Sequence, residues 1–444
     1  MCAQNNALIV VGGGLAGCEA AWQAAQAGLN VILYEMKPRR FSPAHESADL
    51  AELVCSNSLR ASRVDSAVGL LKEEMRLLGS LVMQAADASA LPAGAALAVD
   101  RSRFSAYITE KIATHPCIQI CREEVQQLPK GSFNNPIIVA AGPLATETLA
   151  AELASITGAQ HLSFYDAIAP IIDAETLDMN IIYRKSRWDD EGPGDYLNCP
   201  LTKEQYERFV SELLAAEHAP LHSFEEARYF EGCLPVEVMA ARGMNTLRFG
   251  PMKPVGLAHP QTGERYYAVV QLRAENEACT SYNMVGFQTK LTYGEQKRLF
   301  CSIPGLSQAT FLRLGSMHRN TFVCAPAVLK EDLSLQNAPH IMLAGQISGV
   351  EGYVESAVTG ILAGIHATKR MLGLEFSAPP RESACAAMMR HLLESEPTHF
   401  QPSNINFGLF APVPGRVPKK ERGQIRAQAA LAAITHWKEH LGID

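Results

Sequence analysis

The stretch LIVVGGGLAGCEAAWQAAQAGLNVILYE, residues 8–35, decides the fold of this chain. Leu8–Val11 is a short apolar run that ends directly in glycines, and an alanine-rich segment from Leu15 to Ala27 follows it. Val31–Tyr34 is a second apolar run and ends at Glu35. The order strand, glycine loop, helix, strand predicts an α/β fold with a Rossmann-like parallel sheet.

Three spaced glycines predict that the loop binds a dinucleotide. Gly12 permits a tight turn, Gly14 lets the backbone approach a pyrophosphate, and Gly17 allows close packing of helix on strand. The phosphates would meet free N–H groups at the helix N-terminus. Glu35, 23 positions after Gly12, is the carboxylate expected to accept hydrogen bonds from ribose hydroxyls. The alternative is a glycine-rich turn in an unrelated α/β fold. The predicted contacts here are Gly12, Gly13, Gly14, Leu15, Ala16, Gly17 and Glu35.

Two further segments favour FAD over NAD. PIIVAAGP at 136–143 and HIMLAGQISGVEGYVESAVTG at 340–360 each contain a buried strand that ends in Ala-Gly, which suits a cofactor running across the sheet edge. The helix N-terminus in the second segment could stabilise negative charge on a reduced flavin ring. The alternative is helix packing through small residues. These segments add the predicted FAD contacts Gly142, Gly345, Gly349, Glu351, Gly352 and Tyr353.

Composition bounds the class of protein. The chain has 444 residues, 47% of them apolar and 19% charged, which is typical of a globular protein of two or three domains. No apolar run is long enough for a membrane helix and no secretion signal opens the chain, so we expect a cytoplasmic protein. The 11 cysteines include no C-x-x-C pair, which argues against a zinc site and against a disulfide framework. Since the net charge is −7, any contact with RNA must come from a local basic patch.

A change in composition along the chain predicts an inserted domain. Helices are expected over 66–78, from about 144 to 154 and over 352–371, on either side of a region rich in proline, tyrosine and mixed polar segments. That region carries strand-like pieces at Tyr266–Leu272 and Met284–Gln288. We therefore predict a discontinuous FAD-binding domain and an inserted α+β domain that faces substrate and RNA. The predicted domains are residues 1–160 with 325–444, and residues 161–324.

Many separate segments carry a resemblance that spans almost the whole chain. They are VVGGGLAGCEAAW at 10–22, YEMKP at 34–38, AELVCSNSLR at 51–60, AVGLLKEEMRLLGSLVM at 67–83, LPAG and AVDR within 91–101, DYLNCP at 195–200, GPMKPVGL at 250–257, VVQLR at 269–273, GFQT at 286–289, MHRNTF at 317–322, GVEGYVES at 349–356 and NINFGLF at 404–410. On these motifs the chain resembles the folate- and FAD-dependent tRNA uracil-5-methyltransferases of bacteria.

The resemblance implies a reaction. Methylenetetrahydrofolate donates a one-carbon unit, a reduced flavin carries or reduces it, and NADH or NADPH supplies the electrons. The product is 5-methyluridine in the T loop of tRNA, so the implied partners are the tRNA T-arm and folate. Neither a membrane nor an obligate protein partner is expected.

Two cysteines match the motifs of this family, and the chemistry has a use for both. Uracil carbon 5 becomes nucleophilic once a thiolate adds to carbon 6, and a base must later remove the carbon-5 proton. The resemblance points to Cys55 in LVCSNS and Cys233 in FEGCLPVE. We expect Cys233 to add to uracil and Cys55 to lie by the flavin, as general base or as guard of a flavin–methylene adduct; the reverse assignment stays open. Cys18 and Cys199 are expected to be structural.

A second group of residues consists of tentative substrate contacts. His45 and His318 could stack on the pterin or bind substrate, or be ordinary structural histidines. Arg319 and Asn320 could hold the folate or the flavin edge, and Lys253 could meet the folate glutamate tail or an RNA phosphate rather than solvent.

Four basic clusters are candidates for RNA contact, each with a solvated charged surface as the alternative. They are Lys37, Arg39 and Arg40; Arg60 and Arg63; Arg184, Lys185 and Arg187 beside Trp188; and Arg416, Lys419, Lys420 and Arg422.

Three other functions remain open at this point. The first is the same chemistry on ribosomal RNA. The second is wobble-uridine modification with a partner GTPase, by a longer flavoprotein. The third is a non-catalytic flavin-containing RNA-binding protein.

Overall fold

The fold is mixed α/β, in agreement with the prediction. A computed structural model describes residues 7–158, 162–187, 194–219, 234–412, 418 and 421–442, without the side chains of 162–167 and 317–319. In chain order the strands are β1 (Leu8–Val11), β2 (Val31–Tyr34), β3 (Ser58–Ala61), β4 (Ala90–Leu91), β5 (Ala96–Val99), β6 (Ile118–Cys121), β7 (Ile137–Val139), β8 (Leu162–Ala167), β9 (Ile171–Asp173), β10 (Tyr183–Arg184), β11 (Tyr196–Leu201), β12 (Ala268–Ala274), β13 (Ser281–Met284), β14 (Phe311–Arg313), β15 (Met317–Phe322) and β16 (Ile341–Leu343).

Helices lie between these strands and in the C-terminal part of the chain. They are α1 (Leu15–Gln26), α2 (Ala67–Leu77), α3 (Leu81–Ala88), α4 (Arg101–Thr114), α5 (Glu147–Thr157), α6 (Lys203–Ala215), α7 (Val236–Ala241), α8 (Thr246–Phe249), α9 (Tyr293–Phe300), α10 (Ala325–Val328), α11 (Tyr353–Met371), α12 (Ala384–Glu394) and α13 (Arg422–Glu439). Among these described helices, none is long and apolar enough to cross a membrane.

A parallel sheet carries the first unit. Its five strands run in the order β16-β7-β1-β2-β6, with α1 as the crossover between β1 and β2. Helices α1 and α11 touch almost backbone to backbone, because a Cβ on Gly360 would lie 2.2 Å from the carbonyl oxygen of Ala16. Gly364 faces the carbonyl of Ala20 in the same way, at 2.8 Å. Small-residue packing, the alternative considered for the glycines of this segment, therefore explains Gly360.

An antiparallel sheet of six strands carries the middle of the chain, in the order β10-β11-β12-β13-β9-β14. The strand predicted at Tyr266–Leu272 is observed as β12, shifted by two residues. The strand predicted at Met284–Gln288 is wrong, because β13 ends at Met284 and a turn follows. Gly286 makes that turn at φ +76°, where a Cβ would meet the Cβ of Pro251 at 2.6 Å. An apolar run therefore does not continue as a strand where the fold needs a left-handed residue.

The five-stranded and the six-stranded sheet each have a separate hydrophobic core. One core takes residues from the ranges 8–153 and 322–441, and the other takes residues from 172–306. A two-stranded antiparallel ladder, β8 with β15, lies in sequence at the junction of the two regions. These separate cores support the division into a discontinuous domain and an inserted domain, but the boundaries at 160 and 325 stay a prediction.

Candidate active site

The glycine loop forms a cradle that has no room for side chains. Gly12 has φ +107°, and a Cβ there would lie 2.4 Å from the carbonyl oxygen of Ala140 on the neighbouring strand. A Cβ on Gly17 would lie 1.7 Å from the carbonyl oxygen of Gly12. The first and third glycines of the motif are thus required by the close approach of β1, β7 and α1.

The cradle is open on the side of the helix N-terminus. A Cβ on Gly14 would meet nothing within 4 Å, and no side chain caps α1. The first N–H groups of a helix have no intrahelical partner, and the helix dipole adds partial positive charge at this end. The space in front of Gly14 therefore fits a pyrophosphate.

Glu35 is fixed at the end of β2, as a ribose-binding carboxylate would need to be. It is 7% exposed, and its two oxygens accept hydrogen bonds from the backbone N–H groups of Gly13, at 2.8 Å, and Lys37, at 2.9 Å. A carboxylate has about four lone-pair sites, so two such bonds orient it and leave acceptor capacity for hydroxyl groups.

An open cavity extends from this cradle. Its wall brings together segments that are far apart in the sequence, from the glycine loop, the region around residues 36–54, the end of β7 and the start of α11. The predicted residues that line it are Gly12, Gly13, Gly14, Leu15, Ala16, Glu35, His45, Gly142, Gly345 and Tyr353. Its glycine-lined floor fits an extended dinucleotide.

Four predicted contacts lie behind this wall: Gly17, Gly349, Glu351 and Gly352. Gly349 packs on a ring, since a Cβ there would lie 2.6 Å from Phe400. Gly352 is the N-cap of α11 at φ +105°, and Glu351 is buried and accepts a hydrogen bond from Gln346. These residues shape the turn that leads Tyr353 to the cavity.

Cys55 lies directly beside that wall. The hydroxyl oxygen of Tyr353, which lines the cavity, accepts hydrogen bonds from the backbone N–H groups of Cys55, at 2.7 Å, and Ser56, at 3.1 Å. The preceding residue, Val54, also lines the cavity. Burial raises the pKa of Tyr353, so its hydroxyl stays protonated. The half-buried Cys55 is therefore held next to the proposed cofactor space by a residue 298 positions away.

A buried arginine ties this segment, residues 53–58 and here called the Cys55 loop, to the antiparallel sheet. Arg273 in β12 is 6% exposed and donates to the side-chain oxygens of Asn57, at 2.7 Å, and Ser56, at 2.8 Å. Asn57 donates in turn to the carbonyl oxygens of Val99, at 3.0 Å, and Ala274, at 2.9 Å. Burial lowers the pKa of Arg273.

A second arginine clamps the same loop from the other side. Arg101 donates to the backbone carbonyl of Leu53 and pairs with Glu275, which follows β12. Arg101 and Arg273 belong to the AVDR and VVQLR motifs. Sequence reasoning noted both motifs but gave these residues no role, since the sequence does not show that they converge on one loop.

The tentative substrate residues are scattered. His45 lines the cavity, its Nδ1 lies 2.6 Å from Ser42 Oγ, and burial, with a smaller effect of Lys37, lowers its pKa. Asn320 is buried in β15, whereas Lys253 is exposed and does not line the cavity. Cys233 and the side chains of His318 and Arg319 lie outside the described residues.

Two other cysteines have structural surroundings. Cys18 and Cys199 are fully buried, and burial raises the pKa of both thiols. A buried thiol with a raised pKa is a poor source of thiolate, which supports the structural assignment of both residues.

The basic clusters need one correction. Lys37 is not a surface residue: it is 3% exposed, and its Nζ donates to the carbonyl of Asp49, at 2.6 Å, and to Glu52, at 3.3 Å. Arg60 pairs with the buried Glu355. The other described pairs are Arg40 with Glu124 and Arg63 with Asp65, and Arg39 and Arg422 are exposed. Trp188, Arg416, Lys419 and Lys420 lie outside the described residues.

Comparison with known proteins adds the family. The sequence model described as "Glucose inhibited division protein A" matches residues 7–375. A Desulfotalea psychrophila protein named methylenetetrahydrofolate–tRNA-(uracil-5-)-methyltransferase TrmFO is 57% identical over 98% of this chain and 97% of its own length. A protein of the same name from Geobacter sulfurreducens is 55% identical over 98% and 99%. The crystal structure of Aquifex aeolicus GidA is similar in fold, with a TM-score of 0.72 at 19% identity over 99% of this chain and 74% of that one.

Proposed function

The chain belongs to the glucose inhibited division protein A family and, within it, to the methylenetetrahydrofolate–tRNA-(uracil-5-)-methyltransferases, and from that premise we propose that it methylates carbon 5 of a uridine in tRNA. The observation that carries the proposal is the shared wall of the cavity. A glycine cradle for a dinucleotide and the loop of Cys55 meet there through Tyr353.

The cofactor that fits the cradle is FAD. Gly12, Gly13 and Gly14 with the N-terminus of α1 would hold its pyrophosphate, and Glu35 would hold a ribose. Bound FAD supplies the reducing electrons for a one-carbon unit that methylenetetrahydrofolate donates, with NADH or NADPH as the external reductant.

The protein itself supplies thiols for the uracil ring. In the proposed sequence the Cys233 thiolate forms a bond to carbon 6, and the ring electrons move to carbon 5 and its neighbouring carbonyl as an enolate. Carbon 5 then bonds to the one-carbon unit. A base removes the carbon-5 proton while the bond from the one-carbon unit to its carrier breaks, which leaves an exocyclic methylene on carbon 5. A hydride equivalent, which the reductant would supply, converts this methylene to the methyl group, and the thiolate leaves carbon 6 as the ring double bond re-forms.

Cys55 is proposed as the group beside the cofactor space that takes up the carbon-5 proton. Its support is the pair of hydrogen bonds from the Cys55 loop to Tyr353 and the two arginines that hold the loop. A group held by several convergent bonds needs little reorganisation when it reacts. Tyr353 acts here as a positioning residue.

The remaining parts of the proposal concern the target and the place of action. We propose the T loop of tRNA as the site of methylation and the cytoplasm as the compartment, with no obligate protein partner. The target base has to leave its stack before a thiol can reach carbon 6. His45 and the MHRN segment are proposed to contact the folate, since His45 lines the cavity.

The experiment uses the purified protein with methylenetetrahydrofolate, NADPH and, in separate reactions, an unmodified tRNA transcript and unmodified ribosomal RNA. We expect a yellow protein and 5-methyluridine in the T loop, detected by nucleoside mass spectrometry and located by nuclease mapping. Methylation of ribosomal RNA but not of tRNA would identify ribosomal RNA as the substrate. Modification at the wobble position would favour the other flavoprotein activity. A yellow protein that binds RNA without modifying any of these RNAs would contradict the enzymatic proposal.

A further inference from the structure

One exposed loop on the antiparallel sheet has no role in the site described above. In residues 243–255, here called the Phe249 loop, Phe249 is 80% exposed, more than any other large apolar residue that the structure describes. Met244 and Val255, near the two ends of the loop, are 42% and 48% exposed. An aromatic ring exposed to this degree, on a loop with two further exposed apolar residues, indicates an interaction surface.

The fold imposes this exposure, because the backbone of the loop is firmly anchored. Leu247 and Met252, on either side of Phe249, are fully buried, and the Met252 N–H donates to the Leu247 carbonyl at 2.8 Å. The N–H of Val269 in β12 donates to the Met252 carbonyl at 3.1 Å. Pro251 packs tightly on Gly286. A ring presented on a fixed backbone loses little entropy on binding.

The charge around the loop is opposite in sign to the charge of the whole chain. Residues 242–267 carry four cations and one carboxylate, a net charge of +3, in a chain of −7. Lys253 and Arg265 are exposed. Arg248 is stacked on the ring of Tyr267, 3.7 Å from its centroid. A local positive surface of this kind favours a polyanion over an apolar partner.

A cluster from the sequence analysis joins this surface. The guanidinium of Arg187 donates to the backbone carbonyls of Lys253, at 2.6 Å, and Val255, and to Gln271 Oε1 at 3.1 Å. Arg187 therefore ties the segment of Arg184 and Lys185 to the Phe249 loop.

Strand β12 connects this surface to the Cys55 loop. Val269, near one end of the strand, binds Met252, and Arg273, near the other end, binds Ser56 and Asn57. Val269 and Arg273 are four positions apart along the strand, a separation of about 14 Å. Both loops are therefore attached to the same strand, so RNA bound at the Phe249 loop lies against the sheet that holds the Cys55 loop.

We propose that the Phe249 loop, with Lys253 and Arg265 and held in place by Arg187, is the binding surface for the RNA substrate. The Phe249 ring stacks on an unpaired base of this RNA, and Lys253 and Arg265 contact its phosphates. Aromatic stacking and phosphate contacts are the two terms that bind single-stranded RNA. This inference rests on the proposed function and names where its substrate binds.

The test compares Phe249→Ala and Lys253→Glu/Arg265→Glu with wild type and with matched controls. Tyr293→Ala removes an aromatic ring that is 61% exposed on α9, and Lys130→Glu/Lys330→Glu makes the same charge change at two exposed lysines outside the antiparallel sheet. The measurements are the Kd for an unmodified tRNA transcript at several salt concentrations, the KM and kcat for methylation, and the flavin absorption spectrum.

We expect Phe249→Ala to weaken tRNA binding about tenfold, the usual effect of losing one base stack. We expect Lys253→Glu/Arg265→Glu to weaken it by about 100-fold and to lower the salt slope by about one to two. The controls should stay within about twofold of wild type, and all flavin spectra should be unchanged.

Unchanged Kd and KM in both loop variants, with methylation by wild type intact, would overturn this surface while leaving the proposed function standing. Absence of methylation by wild type would instead remove the proposed function, and the Kd values would still decide whether the loop binds RNA. A Phe249→Ala variant that changes the sedimentation behaviour but binds tRNA like wild type would make the loop a protein contact and would also overturn the proposal.

Discussion

Two loops attached to opposite ends of β12 differ in how far they expose their functional side chains to solvent. The Cys55 loop is half-buried, and its Asn57 is fully buried and bonded to Arg273 and to two backbone carbonyls. In the Phe249 loop, Leu247 and Met252 are buried, and the ring of Phe249 between them is exposed to solvent. Both have fixed backbones, but only one of them turns its functional group outward.

The difference follows from what each loop is proposed to do. A thiol that reacts with one defined atom needs fixed geometry and little water, so its loop is surrounded by hydrogen bonds. A surface that receives RNA must be exposed before binding, and it gains affinity from stacking and from released counterions. Changes in the Cys55 loop should therefore reduce kcat, whereas changes in the Phe249 loop should raise KM for tRNA.

The largest effect should come from the thiols themselves. Cys55→Ala and Cys233→Ala should each lower methylation by about a thousandfold or more, since each removes a group that no neighbour replaces. A tRNA carrying 5-fluorouridine, whose carbon 5 has no removable proton, separates their roles. Cys55→Ala should still form the covalent complex and Cys233→Ala should not, as judged by gel mobility. Cys301→Ala, a half-buried thiol near α9, is the control. The opposite pattern would exchange the two assignments.

The cradle should be the next most sensitive feature. In Gly17→Val the new side chain would begin 1.7 Å from the carbonyl oxygen of Gly12, so α1 must move away from β1. We expect FAD binding to weaken by about 100-fold or more, measured by flavin fluorescence on titration. Gly294→Ala, where a Cβ would meet nothing within 4 Å, is the matched control. A Gly17→Val protein that retains stoichiometric flavin would show that the cradle does not hold the cofactor.

A smaller effect should follow when the Cys55 loop is released from β12. Arg273→Met removes the donor to the buried Asn57 side chain and to the half-buried Ser56 hydroxyl, at a cost of about 1–3 kcal/mol in the free energy of unfolding. We expect kcat to fall about tenfold to 100-fold and KM for tRNA to change little, the reverse of Phe249→Ala. Arg208→Met, on an exposed face of α6, is the control. Equal changes in the KM for tRNA in Arg273→Met and Phe249→Ala would contradict the proposed division of roles between the two loops.

The smallest effect on catalysis should come from a titrating group in α11 that is remote from both loops. Burial lowers the pKa of His366 to about 4, against the opposing effect of Asp332 and with a small addition from Arg370 and Lys369. The unfolded chain binds this proton near pH 6.5, so stability that is present above pH 6.5 is lost as the pH falls toward 4.

His366→Leu should therefore flatten the acid limb of the stability curve by up to about 3 kcal/mol in the free energy of unfolding. Urea titrations at pH 7 and pH 4.5 measure the difference. Methylation at pH 8 should be unchanged, since His366 is not among the residues lining the cavity. An acid limb as steep as that of wild type would assign the pH dependence to other groups.

The local elements were predictable from the sequence where short-range rules apply. The unit β1–α1–β2, the spacing of Gly12, Gly14 and Gly17, and the helix that begins at Tyr353 follow from patterns within about 30 residues. The strand expected at Met284–Gln288 failed because its apolar pattern says nothing about the left-handed turn that packing on Pro251 demands at Gly286.

Lys37 shows the same limit for charge. A lysine beside two arginines predicts a basic surface, yet its ammonium group is buried between Glu52 and the carbonyl of Asp49. The sequence lists charges, but it does not say which of them face solvent. Arg101 and Arg273 were missed for a related reason, because their partners lie 48 to 217 positions away.

By itself the sequence determined the parallel unit, the dinucleotide loop and the family, because each depends on residue types at short spacing or on identity along the chain. The tertiary structure decided that Tyr353 meets Cys55, that two arginines hold the Cys55 loop, and that β12 joins that loop to an exposed Phe249. These are contacts between residues that only packing brings together. They depend on burial and on the paths of several segments at once, which local propensity does not specify.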